Sequence, residues 1–478
     1  MKISILLITL VISFTLLSNL IFAQSTKQKA LKKLDLQATH YGQIAKEIWK
    51  FAEVGYKEKQ SSALLLGTLQ QAGFTIQAGV AEIPTAFVAT YGSGSPVIGI
   101  LAEYDALPGM SQDSIPQKKS IGGIGGHACG HHLFGTASVA AAISVKEWLQ
   151  ATGGKGTIKI YGCPAEEGGA GKVYMVRAGL FNGVDAVLHW HPNDENTVSS
   201  SSSLANKAGK FRFYGLASHA AASPEMGRSA LDAVEAMNYM ANMMREHVPS
   251  STRIHYVITN GGKAPNIVPD FAEVYYYVRS PKREVVKDVW NRIVKAAEGA
   301  TLGTGTKVEV ELIGGVYEVL ANDVLVKVVG ENMKQIGGYT LDANELEFAK
   351  TIQASPGMLK VDLNQTQKIY TDRPDPSSGG STDVADVSWT VPTAGLGAAT
   401  WVPGTSAHSW QAVAAGGMSI GKKGMMLAAK TIASSAIDLF SSPELLIKAK
   451  DELDQKRGPD FKYESLLGDR KPALNYRD

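Results

Sequence analysis

Three histidines and a cysteine lie within six residues of this sequence: His127, Cys129, His131 and His132, directly after a glycine-rich run. The chain holds only two cysteines and ten histidines in 478 residues, so their concentration here indicates a shared chemical role. Thiolate and imidazole are the ligands that borderline-soft divalent metals prefer. A single residue separates Cys129 from His131, which favours a loop or the N-terminal lip of a helix over one helix face. A redox or structural cysteine beside unrelated histidines is the alternative.

A pair of neighbouring glutamates forms the second reactive stretch. Glu166 and Glu167 follow a short apolar segment at 157–162 that predicts a buried strand, and glycines come next. Neighbouring residues of an extended chain point in opposite directions, so the two carboxylates would take different tasks. One would bind a metal while the other exchanges protons with a bound water. A solvated acidic turn is the alternative interpretation.

Two further strand ends carry candidate residues. Glu103 and Asp105 follow a predicted strand at its carboxyl end, which is where open α/β sheets place their chemistry. His189 and His191 end another predicted strand. Either histidine is a candidate ligand, and we expect the other to be structural.

The candidate ligands add up to five: Cys129, His131, one of the glutamate pair, one of the His189/His191 pair, and His408. Small residues around His408 would let its ring approach other groups closely. Five ligands plus a bridging water would serve two ions ~3.5–4 Å apart, and the remaining glutamate would take the water's proton and pass it to a leaving amine. The constellation predicts metal-assisted amide hydrolysis with zinc, manganese or nickel.

The elements that must position these residues indicate an α/β fold. Helical spacing of apolar residues at 27–72 and 137–150 is interspersed with strand-like segments. From 207 to 312 the pattern changes to β-α-β-β-α-β, the order of a small ferredoxin-like sandwich. In that region His219 follows GLAS, where it is explained equally well as a site residue or as a loop cap.

A serine run at 199–203 marks the start of this insertion. Four of the five ligand candidates precede it and one follows the insertion, as expected of an interrupted catalytic domain. The predicted division is a signal peptide at 1–23, a first catalytic part at 27–203, an inserted lid or dimerisation domain at 204–316, a second catalytic part at 317–445 and a tail at 446–478.

Composition and the N-terminal segment limit the partners. The net charge is +2 and no dense basic patch alternates with aromatic residues, so a nucleic-acid partner is not expected. Lys2, the apolar run at 3–22 and Ala23 form a signal-peptide pattern, although Ile21 suits cleavage poorly and leaves an uncleaved anchor as the alternative. No later run is long enough to span a bilayer. We expect an exported protein, periplasmic or secreted, without a stable membrane anchor, in which a Cys129–Cys163 disulfide is a minor alternative.

Eight motifs follow one another along the chain: EYDALPG (103–109), HACGH (127–131), PAEEGG (164–169), DAVLHWHP (185–192), GLASHAA (215–221), NIVPD (266–270), GSTDVADVSW (380–389) and PGTSAHSW (403–410). Together they resemble the aminoacylase/carboxypeptidase superfamily of metallohydrolases, in its amidohydrolase branch. Several of them look most like the B-subunit group of the p-aminobenzoyl-glutamate hydrolases.

This resemblance implies the fold and the roles of the residues. The fold is a mixed-sheet, dinuclear-metallohydrolase catalytic domain with an inserted ferredoxin-like α+β lid and dimerisation domain. One departure is His132, which stands where the family usually has aspartate or asparagine. The implied roles are metal ligation by Cys129, His131, Glu167, His191 and His408, general-base action by Glu166, carbonyl polarisation in a partner's site by His219, substrate-carboxylate binding by Asn266 and Arg279, and orientation of a ligand by Asp105.

The implied activity is hydrolysis of an N-acyl or N-aroyl amino acid with two divalent ions, manganese or zinc, with nickel as a further candidate. Glu166 would act on a metal-bridged water. The implied assembly is a homodimer, or a pairing with a paralogous subunit. A dipeptidase or carboxypeptidase that uses the same residues is the alternative. A catalytically dead binding protein is disfavoured because every ligand and base position is filled.

Overall fold

The computed structural model describes residues 26–371 and 380–477. The predicted signal peptide at 1–23 lies outside these residues, so the structure does not bear on it. Within the described ranges, no helix combines the length and the apolar character that crossing a bilayer requires.

A mixed sheet forms the centre of the catalytic portion. Its four central strands are parallel, whereas the first two run antiparallel to their neighbours. The carboxyl ends of the parallel strands therefore meet at one edge, where the candidate residues follow. Within the described residues the sheet has eight strands, in the spatial order Thr75–Ala78, Phe87–Ser93, Gly156–Cys163, Val97–Glu103, Ala186–Asn193, Thr393–Ala399, Asn196–Thr197 and Ile369–Tyr370.

The strand Val97–Glu103 shows how the sheet is buried on both faces. Its side chains alternate, as the two-residue period of a strand requires. Ile98 and Ile100 join the large apolar layer, whereas Leu101 joins a smaller layer on the opposite face. Glu103, two residues after Leu101, therefore enters the smaller layer, which brings a carboxylate into the protein interior.

Helices cover both faces of this sheet. The helix Asp323–Ile336 follows the insertion, and the two helices Trp410–Gly416 and Ser419–Ser441 are separated at Gly417 and Met418. The last helix was not predicted from the sequence, because its charged surface hides three buried apolar residues. The α-helices of five or more residues in the catalytic portion, within the described residues, are 26–36, Ala38–Phe51, Lys59–Gln71, His131–Thr152, Gly171–Arg177, Asp323–Ile336, Ala343–Gln353, Val384–Ser388, Trp410–Gly416, Ser419–Ser441 and Pro443–Arg457.

The predicted β-α-β-β-α-β order of the insertion is confirmed. Its antiparallel sheet has the spatial order Arg253–Asn260, Phe271–Ser280, Ala205–Tyr214, Lys307–Val316. The helices Ala230–Met244 and Arg283–Thr304 contribute to one shared apolar core with these strands. This portion is called the lid below. The exact domain limits at 204 and 316 stay a prediction.

The alternative disulfide between Cys129 and Cys163 is wrong. Both thiols are free and buried. The Cys163 thiol donates to the backbone carbonyl of Tyr161 at 3.2 Å, whereas Cys129 lies among the candidate ligands. The two cysteines therefore serve different purposes.

Close packing of helix Ser419–Ser441 against the sheet predicts the effect of one substitution. A Cβ at Gly424 would lie 1.9 Å from the carbonyl oxygen of Ala399. We expect Gly424→Ala to lower the free energy of unfolding by about 1–3 kcal/mol, because the helix must move off the strand. Urea denaturation of the wild type and the variant measures this difference.

Gly67→Ala is the matched control for that measurement. Gly67 also lies within a helix, Lys59–Gln71, but a Cβ there would meet no atom within 4 Å. We expect this change to raise the free energy of unfolding by about 0.5–1 kcal/mol through helix propensity. Equal effects of the two substitutions would contradict the packing argument.

Candidate functional site

The five candidate ligands converge around Cys129. Ligand atoms of Cys129, His131 and His191 lie within 4.8 Å of one another, and those of Cys129, Glu167 and His408 form a second such group. Cys129 Sγ is 3.4 Å from His191 Nε2, and His408 Nε2 is 3.2 Å from Glu167 Oε1. Because Cys129 belongs to both groups, it lies between two places that can hold a cation.

A tight turn into a helix brings Cys129 and His131 to this point. Gly130 adopts φ 74°, and a Cβ there would lie 2.7 Å from Pro192, so glycine is required. His131 is the first residue of the helix, in line with the short spacing to Cys129. Its Nδ1 is 2.8 Å from Asp105 Oδ1, which leaves Nε2 free for a metal.

His191, not His189, joins the ligand groups. Its Nδ1 donates to the backbone carbonyl of Pro192 at 2.7 Å, so that Nε2 faces Cys129. His189 lies on the same side of the strand and lines a cavity that opens beside His191. Burial lowers the pKa of His189 to about 3, which keeps its ring neutral at pH 7. A Cβ at Gly395, on the neighbouring strand, would lie 2.4 Å from that ring.

The two glutamates face different neighbours. Glu167 contacts His408, whereas a carboxylate oxygen of Glu166 lies within 4.8 Å of ligand atoms of Glu103 and His131. Burial, followed by the charges of Glu103 and Glu167, raises the pKa of Glu166 well above its ordinary value. Burial opposes ionisation of Glu167 too, but the hydrogen bond from His408 and the nearby His131 hold the pKa of Glu167 below its ordinary value. Glu166 is thus the better proton acceptor, and Glu167 the better anionic ligand.

A buried ion-pair network that was not predicted from the sequence adjoins these ligands. Lys172 Nζ lies 2.6 Å from Glu103 Oε1 and 2.7 Å from Asp383 Oδ1, with all three side chains at most 1% exposed. The second oxygen of Glu103 is 3.1 Å from His131 Nε2. A lysine within the apolar run GKVYMV was the available signal for this network. The sequence places Glu103 at a strand end without indicating its role.

The other two histidines of the clustered stretch are structural. His127 Nε2 donates to the carbonyl of Ile48, and His132 Nε2 donates to that of Gly416, each at 3.0 Å. Burial lowers the pKa of His127 to about 3, and it also lowers the pKa of His132 well below its ordinary value. Both rings are therefore neutral at pH 7. His132 fixes the helix start against the Trp410–Gly416 helix and takes no part in the ligand groups.

The donor atoms fit divalent cations. Glu103 Oε2 and His131 Nε2 are buried and lie 3.1 Å apart, but neither makes a hydrogen bond of good geometry within the described residues. Such atoms cost free energy, which a bound cation would offset. Burial, and then the charge of Glu167, raises the pKa of the Cys129 thiol well above its ordinary value, so a thiolate there needs a cation beside it. Thiolate, imidazole and carboxylate together suit zinc, manganese or nickel.

The three candidate lid residues lie apart from the ligand atoms. His219 is exposed, and its Nδ1 accepts hydrogen bonds from two backbone N–H groups of its own loop at 3.2 and 3.1 Å. His219 forms a short β-bridge with Ile267, and the carbonyl of the adjacent Asn266 accepts from the N–H of Ala220 at 3.1 Å. Arg279 stacks on Tyr277 with 5.0 Å between guanidinium and ring centre. No hydrogen bond or ion pair between described residues connects the three side chains to the ligands. Their roles stay predictions.

A cavity of about 680 Å³ opens beside His191. Residues from before and after the lid line it, and none of the described lining residues belongs to 204–316. The lining is rich in hydroxyl groups, including those of Thr197, Ser202 and Thr382, and it also includes His189. The cleft can therefore take a substrate group that carries hydrogen-bonding atoms.

Comparisons with known proteins agree with this geometry. Residues 205–304 match the peptidase dimerisation domain of the M20 family. The chain is 40% identical over 449 residues to the B-subunit of the p-aminobenzoyl-glutamate hydrolase of Escherichia coli (strain K12), covering 88% of this chain and 93% of that protein. It is 30% identical over 446 residues to the Xaa-Arg dipeptidase of Mus musculus, covering 90% and 92% of the two chains.

Solved structures share the fold. A dinuclear metal-binding peptidase of the M20 family from Bacillus subtilis superposes with a TM-score of 0.58 at 17% identity, covering 85% of this chain and 99% of that one. An aminobenzoyl-glutamate utilization protein from Klebsiella pneumoniae gives a TM-score of 0.60 at 18% identity, covering 85% and 97%. With two relatives at 30% identity or more along most of its length, the chain belongs to the M20 peptidase family.

Proposed function

We propose that this protein hydrolyses the amide bond of N-acyl or N-aroyl amino acids, with p-aminobenzoyl-glutamate as the model substrate. The observation that carries the proposal is the gathering of five metal-binding side chains beside a glutamate that belongs to neither Cys129-centred group. Structural metal sites are closed sets of ligands without such a spare base. The named relatives are amide hydrolases, in agreement with this chemistry.

The residues divide the work of amide hydrolysis. Cys129, His131, Glu167, His191 and His408 would hold two divalent ions, which supply Lewis acidity toward water and the scissile carbonyl. Glu166 would accept a proton from the attacking water and return it to the leaving amine, since its carboxylate lies beside the ligand atoms but belongs to neither Cys129-centred group. Asp105 fixes the ring of His131, and Lys172 offsets the charge of Glu103.

The cavity beside His191 and the lid would bind opposite ends of the substrate. The cavity volume of about 680 Å³ is ample for an aroyl group, and the hydroxyl-rich lining of the cavity suits an amino substituent. Asn266 and Arg279 of the lid would bind the carboxylate of the amino acid. Because His219 is exposed on its own chain, it would reach the site of a partner. The partner is a second copy of this chain, or a paralogous chain such as the separately named A-subunit of the Escherichia coli hydrolase, which is 26% identical over 300 residues.

The cellular setting belongs to the same proposal. The signal-peptide pattern at 1–23 supports export to the periplasm or the medium. Manganese or zinc would be the native metal, with nickel as a further candidate, since mixed sulfur, nitrogen and oxygen ligands accept all three.

A dipeptidase is the second candidate, and one finding favours it. The Xaa-Arg dipeptidase of Mus musculus is 30% identical across 90% of this chain. Hydrolysis by the mature chain, loaded separately with manganese and with zinc, should be followed by mass spectrometry over N-aroyl amino acids, N-acyl amino acids and dipeptides. Cleavage confined to the acyl and aroyl compounds supports the amidohydrolase. Cleavage confined to dipeptides replaces it with the second candidate, and inactivity with both metals bound contradicts both for the chain alone.

Glu166→Gln tests the general base. We expect kcat to fall by about a thousandfold, because the amide cannot accept the proton of water. Metal content, measured by mass spectrometry after gel filtration, should stay that of the wild type. The exposed Glu47→Gln serves as the control for the same chemical change. Substantial residual activity would move the base to another residue.

His219→Ala tests the lid residue. We expect kcat to fall by about a hundredfold without loss of metal, as for removal of a donor to the developing oxyanion. Co-expression with Glu166→Gln under separate tags then decides which protomer's site His219 serves. If it acts on the partner, the mixed dimer regains one complete site, and a random mixture reaches about a quarter of wild-type activity. A mixture that stays inactive would place His219 in the site of its own protomer.

A further inference from the structure

The turn that carries the two glutamates has an irregular backbone. Ala165 and Ala170 adopt φ 56° and 57°, and Gly168 adopts φ 93°. Glu167 itself has φ −69° and ψ 64°, outside the helical region. Side-chain-bearing residues at positive φ cost free energy and persist only where surrounding groups hold them. The position of both carboxylates therefore depends on what holds this turn.

Three side chains from earlier in the sequence hold part of it. The backbone N–H of Ala165 donates to Glu58 Oε1 at 2.8 Å, and that of Glu167 donates to Asp105 Oδ2 at 2.9 Å. Tyr56 OH donates to the carbonyl of Gly169 at 2.7 Å. The carbonyl of Glu167 is bound by a different part of the chain.

That carbonyl accepts two hydrogen bonds from the far end of the sequence. Arg477 Nη2 donates to it at 2.6 Å and Tyr476 OH at 3.1 Å. The Tyr476 ring packs edge-on against Tyr56 with 5.5 Å between ring centres. A Cβ at Gly55 would lie 2.1 Å from Tyr476 OH, so the local sequence leaves room for this hydroxyl.

The segment 459–477 that delivers these two residues is anchored along its length. Leu467 is 1% exposed and lies in an apolar cluster with the turn residues Ala165 and Ala170. The carbonyl of Arg470 accepts from Arg177 Nη1 at 2.6 Å, and the guanidinium of Arg470 donates to a lid carbonyl, that of Ile313, at 2.7 Å. The segment 459–477 is therefore packed against the glutamate turn and held there by hydrogen bonds.

We infer that Tyr476 and Arg477 are positioning residues, which clamp the carbonyl of Glu167 and thereby orient the Glu166–Glu167 pair. The inference rests on the proposed function for its kinetic consequences but not for its effect on metal binding. Asp105 holds the N–H side of Glu167 and the two residues hold its carbonyl side. Without the clamp, the peptide after Glu167 is free to rotate, and the ligand and base carboxylates lose their fixed direction.

Four variants test this inference: Arg477→Met, Arg477→Lys, Tyr476→Phe and Lys471→Met. Arg477→Met removes the charged donor, Arg477→Lys keeps a charge and a donor, and Tyr476→Phe removes a single oxygen. Lys471→Met is the matched control, because its side chain is 81% exposed on the same segment and pairs with the exposed Glu82. The measurements are kcat and KM, zinc affinity by competition with a chromophoric chelator, and the midpoint of thermal unfolding.

We expect Arg477→Met to lower kcat about tenfold with KM changed less than about twofold, and to weaken zinc binding about tenfold. Arg477→Lys should recover most of both losses, and Tyr476→Phe should show the same pattern more weakly. The effects of Tyr476→Phe and Arg477→Met should not add, since both act on one carbonyl. Lys471→Met should match the wild type.

Two results would overturn the inference. One is wild-type kcat and zinc affinity per folded molecule in Arg477→Met. The other is a fall in kcat and zinc affinity in both Arg477→Met and Arg477→Lys that parallels the fall in the midpoint of thermal unfolding. That result would indicate only a structural contact. If Arg477→Met fails to fold, Tyr476→Phe and Arg477→Lys decide by the same criteria. If the wild type hydrolyses no compound tested, the proposed function is contradicted. The positioning role of Tyr476 and Arg477 is then tested by zinc affinity alone.

Discussion

The structure gathers several largely buried carboxylates around one point, and neighbouring groups balance part of their charge. Glu103 and Asp383 are offset by the fully buried Lys172, and Asp105 accepts a hydrogen bond from His131 Nδ1. The second oxygen of Glu103 remains without a hydrogen bond of good geometry within the described residues. An ionised carboxylate in a low-dielectric interior requires an opposite charge nearby. Lys172 supplies part of that charge, and the ligand groups around Cys129 can hold divalent ions that would supply the rest.

This constraint explains why the chemistry lies at the carboxyl ends of parallel strands. Glu103, Glu167 and His191 each end or follow a central strand, so short local segments bring their polar groups to one edge. Residue types and strand ends are readable in a sequence, which is why the ligand candidates could be named from it. Residue type and strand position alone did not distinguish His191 from His189. Both lie on one side of the strand, and only the direction of Nε2 toward Cys129 separates them.

The lid was predicted almost completely, because its order depends on local alternation and helical spacing that leave a clear pattern. The buried network could not be predicted in that way. Lys172 and Asp383 are 211 residues apart, and an ion pair across the fold leaves no periodicity in either segment. The helix Pro443–Arg457 was missed for a related reason. It buries only Leu446, Ala449 and Leu453, so its charged composition conceals the narrow apolar stripe that packs.

The residues that hold the glutamate turn come from positions that are far apart in the sequence, and this connects parts of the molecule that are otherwise separate. The segment 459–477 contacts the carbonyl of Glu167 through Arg477, and it contacts the lid strand through Arg470. The side chain of Arg177, on the catalytic portion, donates to the backbone carbonyl of the same Arg470. The segment 459–477 therefore contacts both the glutamate turn and the lid, the part of the chain that matches a dimerisation domain. Groups that are far apart in the sequence thus meet through one segment that neither the strand pattern nor the ligand motifs reveal.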